Sequence, residues 1–504
     1  MNRRDGRVPA LLLILAVGVP FLILNLFTAT GFPIVWTDEV MCVDPAVNSV
    51  LGNGWTSTAW QSQGSHEFWA ANNPLYPALQ LPWLKIFGVS PVAVRSFNYV
   101  AMLLAVYLIW SAAQKAGWLC GSAWLLLFSA LVLSSELICF IYRSGRPDTV
   151  GMVVGASLLR SWFVEDARRR RALIFAMGML VLAAGMQMIP FVACIVLVDA
   201  ILSRRFRPEA VALAMGIVAG GAMLAVVFHF AGALRAYLAA TFASGYSLLG
   251  STIQLLVFRD PAATARWKGQ LSLVSPAGLW RAMTGDAALC CSTLVLLLAA
   301  IRERFAGSFS WRTPSGVGLI LCLAVPWTML LAGRYADYYS WMSLIPAALC
   351  ACAALKRHRG DRAMVLLGLA LLGYGAARGL PRLLYEHSLD ASARDYSQVR
   401  RFLADNIRKD DWLMGDPALY YAAKASGIRF FSLTYAGGRG YRRPEEADRI
   451  TVAIVQPKDL PEVEQKVAGS WKSTGAVLST EHLVVRHFDT HRLPRYYKLA
   501  VYRK

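Results

Sequence analysis

The residue types that could do chemistry fall in a few short stretches. In "GFPIVWTDEVMCVDPAVN" (31–48), Asp38 and Glu39 stand side by side just beyond a long apolar run at 8–30. A carboxylate held near a membrane surface can take a proton from a hydroxyl, and a second one beside it can orient the first or join it in holding a cation. Asp38 is therefore the candidate base, with Glu39 its orienter or, together with Asp38, a metal ligand. A divalent cation is the only cofactor these residues leave open. Asp148, in "GRPD" (145–148), reads either as a second reactive acid or as a carboxylate that stabilises a helix N-terminus. Glu136 lies inside an apolar run close to its end, where an acid is either functional or within reach of water. Asp44, His66 and Glu67 read as loop surface.

The cations that could face an anion are Arg143, Arg146, Arg259, Arg266, Lys268 and Arg334. Arg334 ranks first because it opens an apolar run beside Tyr335, Tyr338 and Tyr339. A guanidinium grips phosphate through two parallel hydrogen bonds, and phenols add donors. An interfacial anchor in an aromatic belt is the other reading of Arg334. Arg146 ranks next, and "FRDPAATARWKG" (258–269), which carries Arg266, reads as a basic loop over the site.

An unusually apolar chain must position these groups. Of 504 residues, 56% are hydrophobic and only 16% charged, and the mean hydropathy is +0.45. That excludes an ordinary soluble globular protein and suits one that crosses a membrane many times. In such a chain a net charge of +20 marks topology and anionic lipid, so no nucleic-acid partner is expected. Eight of the nine cysteines sit in or beside apolar runs, where a thiol behaves as a small hydrophobe, and only Cys42 reads as water-facing. No disulfide framework is expected.

A hydrocarbon core about 30 Å thick needs roughly 20 apolar helical residues. Besides 8–30, runs of this kind occupy roughly 92–113, 118–140, 149–163, 172–186, 188–202, 209–231, 286–301, 315–332, 338–355 and 363–380, about eleven helices in all. The basic connections at Lys115, 167–172, 203–208, "RERF" with Arg312, and 356–362 all fall on the side of the N-terminus, which carries Arg3, Arg4 and Arg7. By the positive-inside rule the N-terminus is cytoplasmic. The segments 31–91, 141–148, 232–285, 333–337 and everything after about 381 then lie outside. The first run is long for a signal peptide and reads as an uncleaved anchor. Within 73–88, apolar residues at helical spacing interrupted by Pro77 and Pro82 predict an interfacial amphipathic helix, with a re-entrant segment or a span as the second choice.

The predicted fold is thus an α-helical integral membrane protein of about eleven transmembrane helices with a small C-terminal α/β extracytoplasmic domain. The division places residues 1–381 in the membrane part, with its first outer loop at 31–91, and residues 382–504 in the outer domain. There, 393–407 and 418–427 read as helices, and "DWLMGD", "IRFFSL", "ITVAIVQP" and "YYKLAVYR" as strands.

The order of motifs resembles the GT-C class of integral membrane glycosyltransferases, which includes lipid A aminoarabinose transferases and protein O-mannosyltransferases. The matching residues are Asp38 and Glu39, "LGNGW" (51–55), "PLYP" (74–77) with "KIFG" (85–88), Arg95, "YRSGRPD" (142–148) and "GRYADYYSWMSLIP" (333–346). Several relatives carry a lysine before the "PLYP"-like stretch, where this chain has Asn72 and Asn73, so either another cation meets the lipid phosphate or the lipid is held differently.

The resemblance implies a polyprenyl-phosphate sugar donor, a hydroxyl-bearing glycan, lipid or protein acceptor, membrane lipid around the chain, and a multi-pass location in the cell (inner or plasma) membrane. Catalysis falls to Asp38 and Glu39, with Arg334, Arg146, Asp148, Tyr338, Tyr339 and Arg266 binding the substrate and its lipid phosphate. The competing classes are a transporter or flippase of an amphiphile, which would not explain the acidic first loop, and a polysaccharide polymerase or ligase.

Overall fold

The computed structural model describes residues 10–60, 63–71, 73–119, 121–242, 275–331, 337–433, 446–484 and 496–504. Ala10–Phe27 forms α1, and a short turn leads to α2, Thr37–Val50. The acids thus open a second helix, where Asp38 and Glu39 in the first turn oppose the positive end of its dipole. The stretch expected to lie in the interface is α3, Leu75–Phe87. Helix α4, Pro91–Lys115, follows, capped by Ser90, whose hydroxyl accepts from the Ala93 N–H at 3.1 Å.

The run expected as one span at 118–140 is two helices, α5 (Ser122–Ser134) and α6 (Glu136–Arg143), bent by 66° at Ser135. The break is held by Asp286, whose carboxylate accepts from Ser135 Oγ at 2.8 Å and from the Leu137 N–H at 3.1 Å. Glu136 therefore sits at the start of a helix at a kink instead of inside a continuous span. Next come α7 (Asp148–Trp162), α8 (Ala167–Ala184), α9 (Met188–Ser203), α10 (Pro208–Phe230) and α11 (Leu234–Phe242). After the undescribed 243–274 the chain continues as α12 (Pro276–Thr284), α13 (Ala287–Phe305), α14 (Pro314–Leu331), α15 (Trp341–Arg357), α16 (Arg362–Ala377) and α17 (Leu380–Leu389).

Each predicted apolar run contains helix among the described residues, but the count of eleven spans is not confirmed. Among the described residues four helical stretches are long and apolar enough to cross a membrane, or five if the bent α5–α6 pair is one span. The others are shorter or carry charges into the helix, as α8 does with Arg168–Arg171. Helices α8 and α10 cross closely because they meet through glycine: a Cβ on Gly216 would lie 2.2 Å from the Phe175 carbonyl. The outward face of α10 exposes Val211, Met215 and Val218, as expected of a surface against lipid.

The tail builds α18 (Tyr396–Asn406) and a five-stranded sheet: β1 (Trp412–Gly415), β2 (Arg429–Ser432), β3 (Val452–Val455), β4 (Lys472–Ser479) and β5 (Lys498–Arg503), in the order β2-β1-β3-β5-β4. Strands β1, β2 and β3 run parallel, while β5 is antiparallel to β3 and β4. Helix α19, Tyr420–Ala425, links β1 to β2, and α20, Leu460–Lys466, follows β3. The four expected strands are present. The fifth, β4, was not anticipated, because "KSTGAVLS" is polar and interrupted by Gly475.

One face of this sheet buries Leu413, Phe430, Ile454 and Val501 in a core shared with Val40, Val43 and Val47 of α2 and Leu84 of α3. The tail is therefore packed onto the helix that carries the acidic pair.

Candidate functional site

Asp38 and Glu39 part company in space. Asp38 points to Arg146, whose Nη1 meets its Oδ2, and keeps 30% of its side chain exposed. Its Oδ1 has no partner among the described residues. Arg146 also bonds Asp148 through Nε at 2.9 Å. Asp148 itself is sealed from solvent, in the first turn of α7, and its Oδ1 lacks a partner among the described residues. One guanidinium thus lies between two carboxylates, one half-open and one buried.

Aromatic rings frame this cluster. The Arg146 guanidinium carbon is 3.8 Å from the centre of the Tyr338 ring and 5.6 Å from that of Trp36. Trp36 donates from Nε1 to the Ser144 carbonyl at 3.2 Å, and Tyr338 packs edge-on to Tyr339 with centroids 4.7 Å apart. The backbone of the arginine loop is fixed as well: Tyr76 donates to the Gly145 carbonyl at 2.7 Å, and Asn98 to the Arg146 carbonyl at 3.0 Å. Gly145 adopts φ +64°, and a Cβ there would lie 2.6 Å from Glu39 Cγ. Both facts call for glycine at 145.

Glu39 faces away from Asp38 and is fully buried. Arg95 holds it through Nε to Oε1 at 3.1 Å and Nη2 to Oε2 at 2.6 Å, and Tyr421 of α19 donates to Oε1 at 3.0 Å. Burial pushes the Glu39 carboxyl up, against the pull of Arg95 and of the hydrogen bonds. With both oxygens taken, Glu39 offers nothing to a metal, and the described residues contain no group of three His, Cys, Asp or Glu suited to one. The pair does not fit a divalent cation.

Other expectations change in the same way. Asp44, read as loop surface, is fully buried: its Oδ2 accepts from Ser57 Oγ at 2.8 Å and from the N–H groups of Thr58 and Ala59, and its Oδ1 from Tyr420 at 2.6 Å. Cys42, read as water-facing, is buried with its Sγ 3.5 Å from Asn73 Nδ2, and burial raises its thiol to about 12. Arg143 is buried too, bonded to Asn25, to Thr28 Oγ1 at 2.8 Å and to the Phe32 carbonyl at 2.8 Å, so it ties α6 to the end of α1. His66 and Glu67 are exposed, as expected. Arg334, Tyr335, Arg259, Arg266 and Lys268 lie outside the described residues.

Sequence reasoning missed Trp36, Asn98 and Tyr421. The first two lie beside residues already singled out. Nothing in the spacing of the chain links Tyr421 to Glu39.

The fold is shared with a solved membrane-protein structure. The chain superposes on ArnT from Cupriavidus metallidurans, solved bound to undecaprenyl phosphate, with a TM-score of 0.54 at 13% identity, covering 98% of this chain and 97% of that one. The oligosaccharyltransferase of Archaeoglobus fulgidus in its apo form is more remote, with a TM-score of 0.47, 10% identity, and 92% and 72% coverage. No protein-family model matches the sequence, and no curated protein sequence matches it.

Proposed function

We propose that this protein is a glycosyltransferase that moves a sugar from a polyprenyl-phosphate donor to a hydroxyl-bearing acceptor at the outer face of the membrane, with the N-terminus inside and the sheet domain, from about residue 382, outside. The observation that carries the reading is the Asp38–Arg146–Asp148 cluster, in which a part-exposed carboxylate is held by one oxygen and open at the other. It stands at the first turn of a short helix in a fold shared with ArnT.

In the reaction the acceptor oxygen attacks the anomeric carbon while the bond from that carbon to the phosphate oxygen breaks. The bonding pair leaves with the polyprenyl phosphate, and the acceptor proton passes to Asp38 Oδ1. Arg146 keeps Asp38 oriented, and the guanidinium is itself held over the Tyr338 and Trp36 rings. Standing between two carboxylates, Arg146 is poorly placed to hold a phosphate as well. That task falls to cations elsewhere, with Arg334 and Arg266 as the candidates and Tyr339 as a neighbouring donor. A leaving phosphate needs charge stabilisation and no proton, so an arginine without a carboxylate partner suits it better. The test is turnover of a synthetic polyprenyl-phosphate sugar by the purified chain with envelope lipids and glycans as acceptors. Transfer by wild type and its absence in Asp38→Asn is the expected result, and equal transfer by both would remove Asp38 from the chemistry.

A further inference from the structure

Helix α19 is tied to α2 by a set of buried polar contacts. Tyr421 donates to Glu39 Oε1 at 3.0 Å, Tyr420 to Asp44 Oδ1 at 2.6 Å, and Lys424 to Asn48 Oδ1 at 2.7 Å. The acceptors are spread along α2 and over about half of its circumference, so the sheet domain meets one broad side of that helix. Only the first contact reaches the residue next to Asp38.

Glu39 is also the point on which both halves of the Asp38–Arg146 pair rest. It is the chain neighbour of Asp38, and its side chain fills the space that Gly145, the chain neighbour of Arg146, leaves open. Arg95 fixes Glu39 to the end of the first helix, since its Nη1 donates to the Ala29 carbonyl and, at 2.7 Å, to the Pro33 carbonyl. Among the described residues Tyr421 supplies the one bond to Glu39 that comes from the sheet domain. A displacement of Glu39 would move Asp38 through the backbone and Arg146 through Gly145 together.

We propose that Tyr421 is a positioning residue for the Asp38–Arg146 pair, so that the docking of the sheet domain onto α2 sets the geometry of the reactive acid. The inference rests on the reading of Asp38 as the base. The Tyr421 side chain has no access to substrate, because it is buried among α2, α18 and the sheet. Its hydroxyl acts through Glu39.

The experiment compares Tyr421→Phe with Tyr420→Phe in the full-length protein in lipid nanodiscs. Each removes one hydroxyl from an equally buried phenol and keeps the ring. Tyr421→Phe should lower kcat about ten-fold while the donor KM stays within about two-fold, because a displaced base slows the chemical step more than binding. Hydrogen–deuterium exchange should quicken at 36–43 and 144–148 and stay unchanged in α13 to α16, which serve as the folding control. Tyr420→Phe should lose thermal stability yet keep kcat within about two-fold, since Asp44 lies further along α2.

Unchanged exchange at 36–43 and 144–148 in Tyr421→Phe would overturn the proposal, as would the same loss of kcat in Tyr420→Phe. If wild type transfers no sugar from any polyprenyl-phosphate donor, the transferase reading fails. The exchange comparison still decides whether Tyr421 sets the pair.

Discussion

Asp38 and Asp44 lie less than two turns apart on the same helix, and each meets a cation, yet their surroundings differ at every point. Asp44 is closed. Its oxygens accept from two backbone N–H groups, a serine and a tyrosine, with Lys424 Nζ at 3.4 Å, and no part of it is exposed. Asp38 is open: among the described residues it has one partner, with its other oxygen unbonded, and its side chain is 30% exposed. A buried charge is tolerable only when its lone pairs are answered, so the closed acid reads as architecture. A carboxylate that gave up all its acceptors could not take a proton, so the open acid reads as chemistry. Presence of an acid says little; how completely its oxygens are occupied says more.

The sharpest way to break this contrast is to neutralise the open acid. Asp38→Asn should lower sugar transfer by on the order of 10²- to 10⁴-fold, with elution from gel filtration and melting unchanged. Turnover of purified protein measures it, and a large loss of stability with modest loss of turnover would reverse the two roles. The closed acid should behave oppositely. Lys424→Met leaves Asp44 and Asn48 without their cation and should cost about 3 kcal/mol of stability, seen as a lower melting temperature in detergent. The surviving folded fraction should turn over at near the wild-type rate.

A third change probes the seam between the two. Gly145→Ala imposes a Cβ 2.6 Å from Glu39 Cγ at a backbone φ of +64°, which should cost about 1–3 kcal/mol and lower turnover together. Loss of stability alone would show that the arginine loop does not shape the site. The smallest effect is expected in the sheet. Partial burial would raise the Asp411 carboxyl, but Arg503 and the Arg408 N–H prevail and hold it below the usual carboxylate range. A depressed carboxyl stabilises the fold above the unfolded value, about 4, and that contribution is lost as pH falls through this value and below. Melting of wild type against Arg503→Gln across this range should show a shallower acid limb in the variant.

The sequence alone carried the long apolar helices and most of the strands, because each is written locally. Apolar runs of sufficient length and the short apolar stretch in "ITVAIVQP" need no distant partner to be recognised. It also pointed to Asp38, Arg146, Asp148 and Tyr338, since rare charges and phenols at the edges of apolar runs stand out by type. Tertiary structure decided what those charges do. Glu39 and Asp38 are adjacent in the chain, but a helix turns successive side chains about 100° apart, so one faces Arg95 and Tyr421 and the other faces Arg146. Whether Asp44 is surface or core depends on Tyr420 and Lys424, more than three hundred residues away, and on a sheet whose face covers α2. The kink at Ser135 likewise depends on Asp286, which enters from another helix. Saturation of a charge is a property of everything packed around it, and the chain order of residues does not encode that packing in any local pattern.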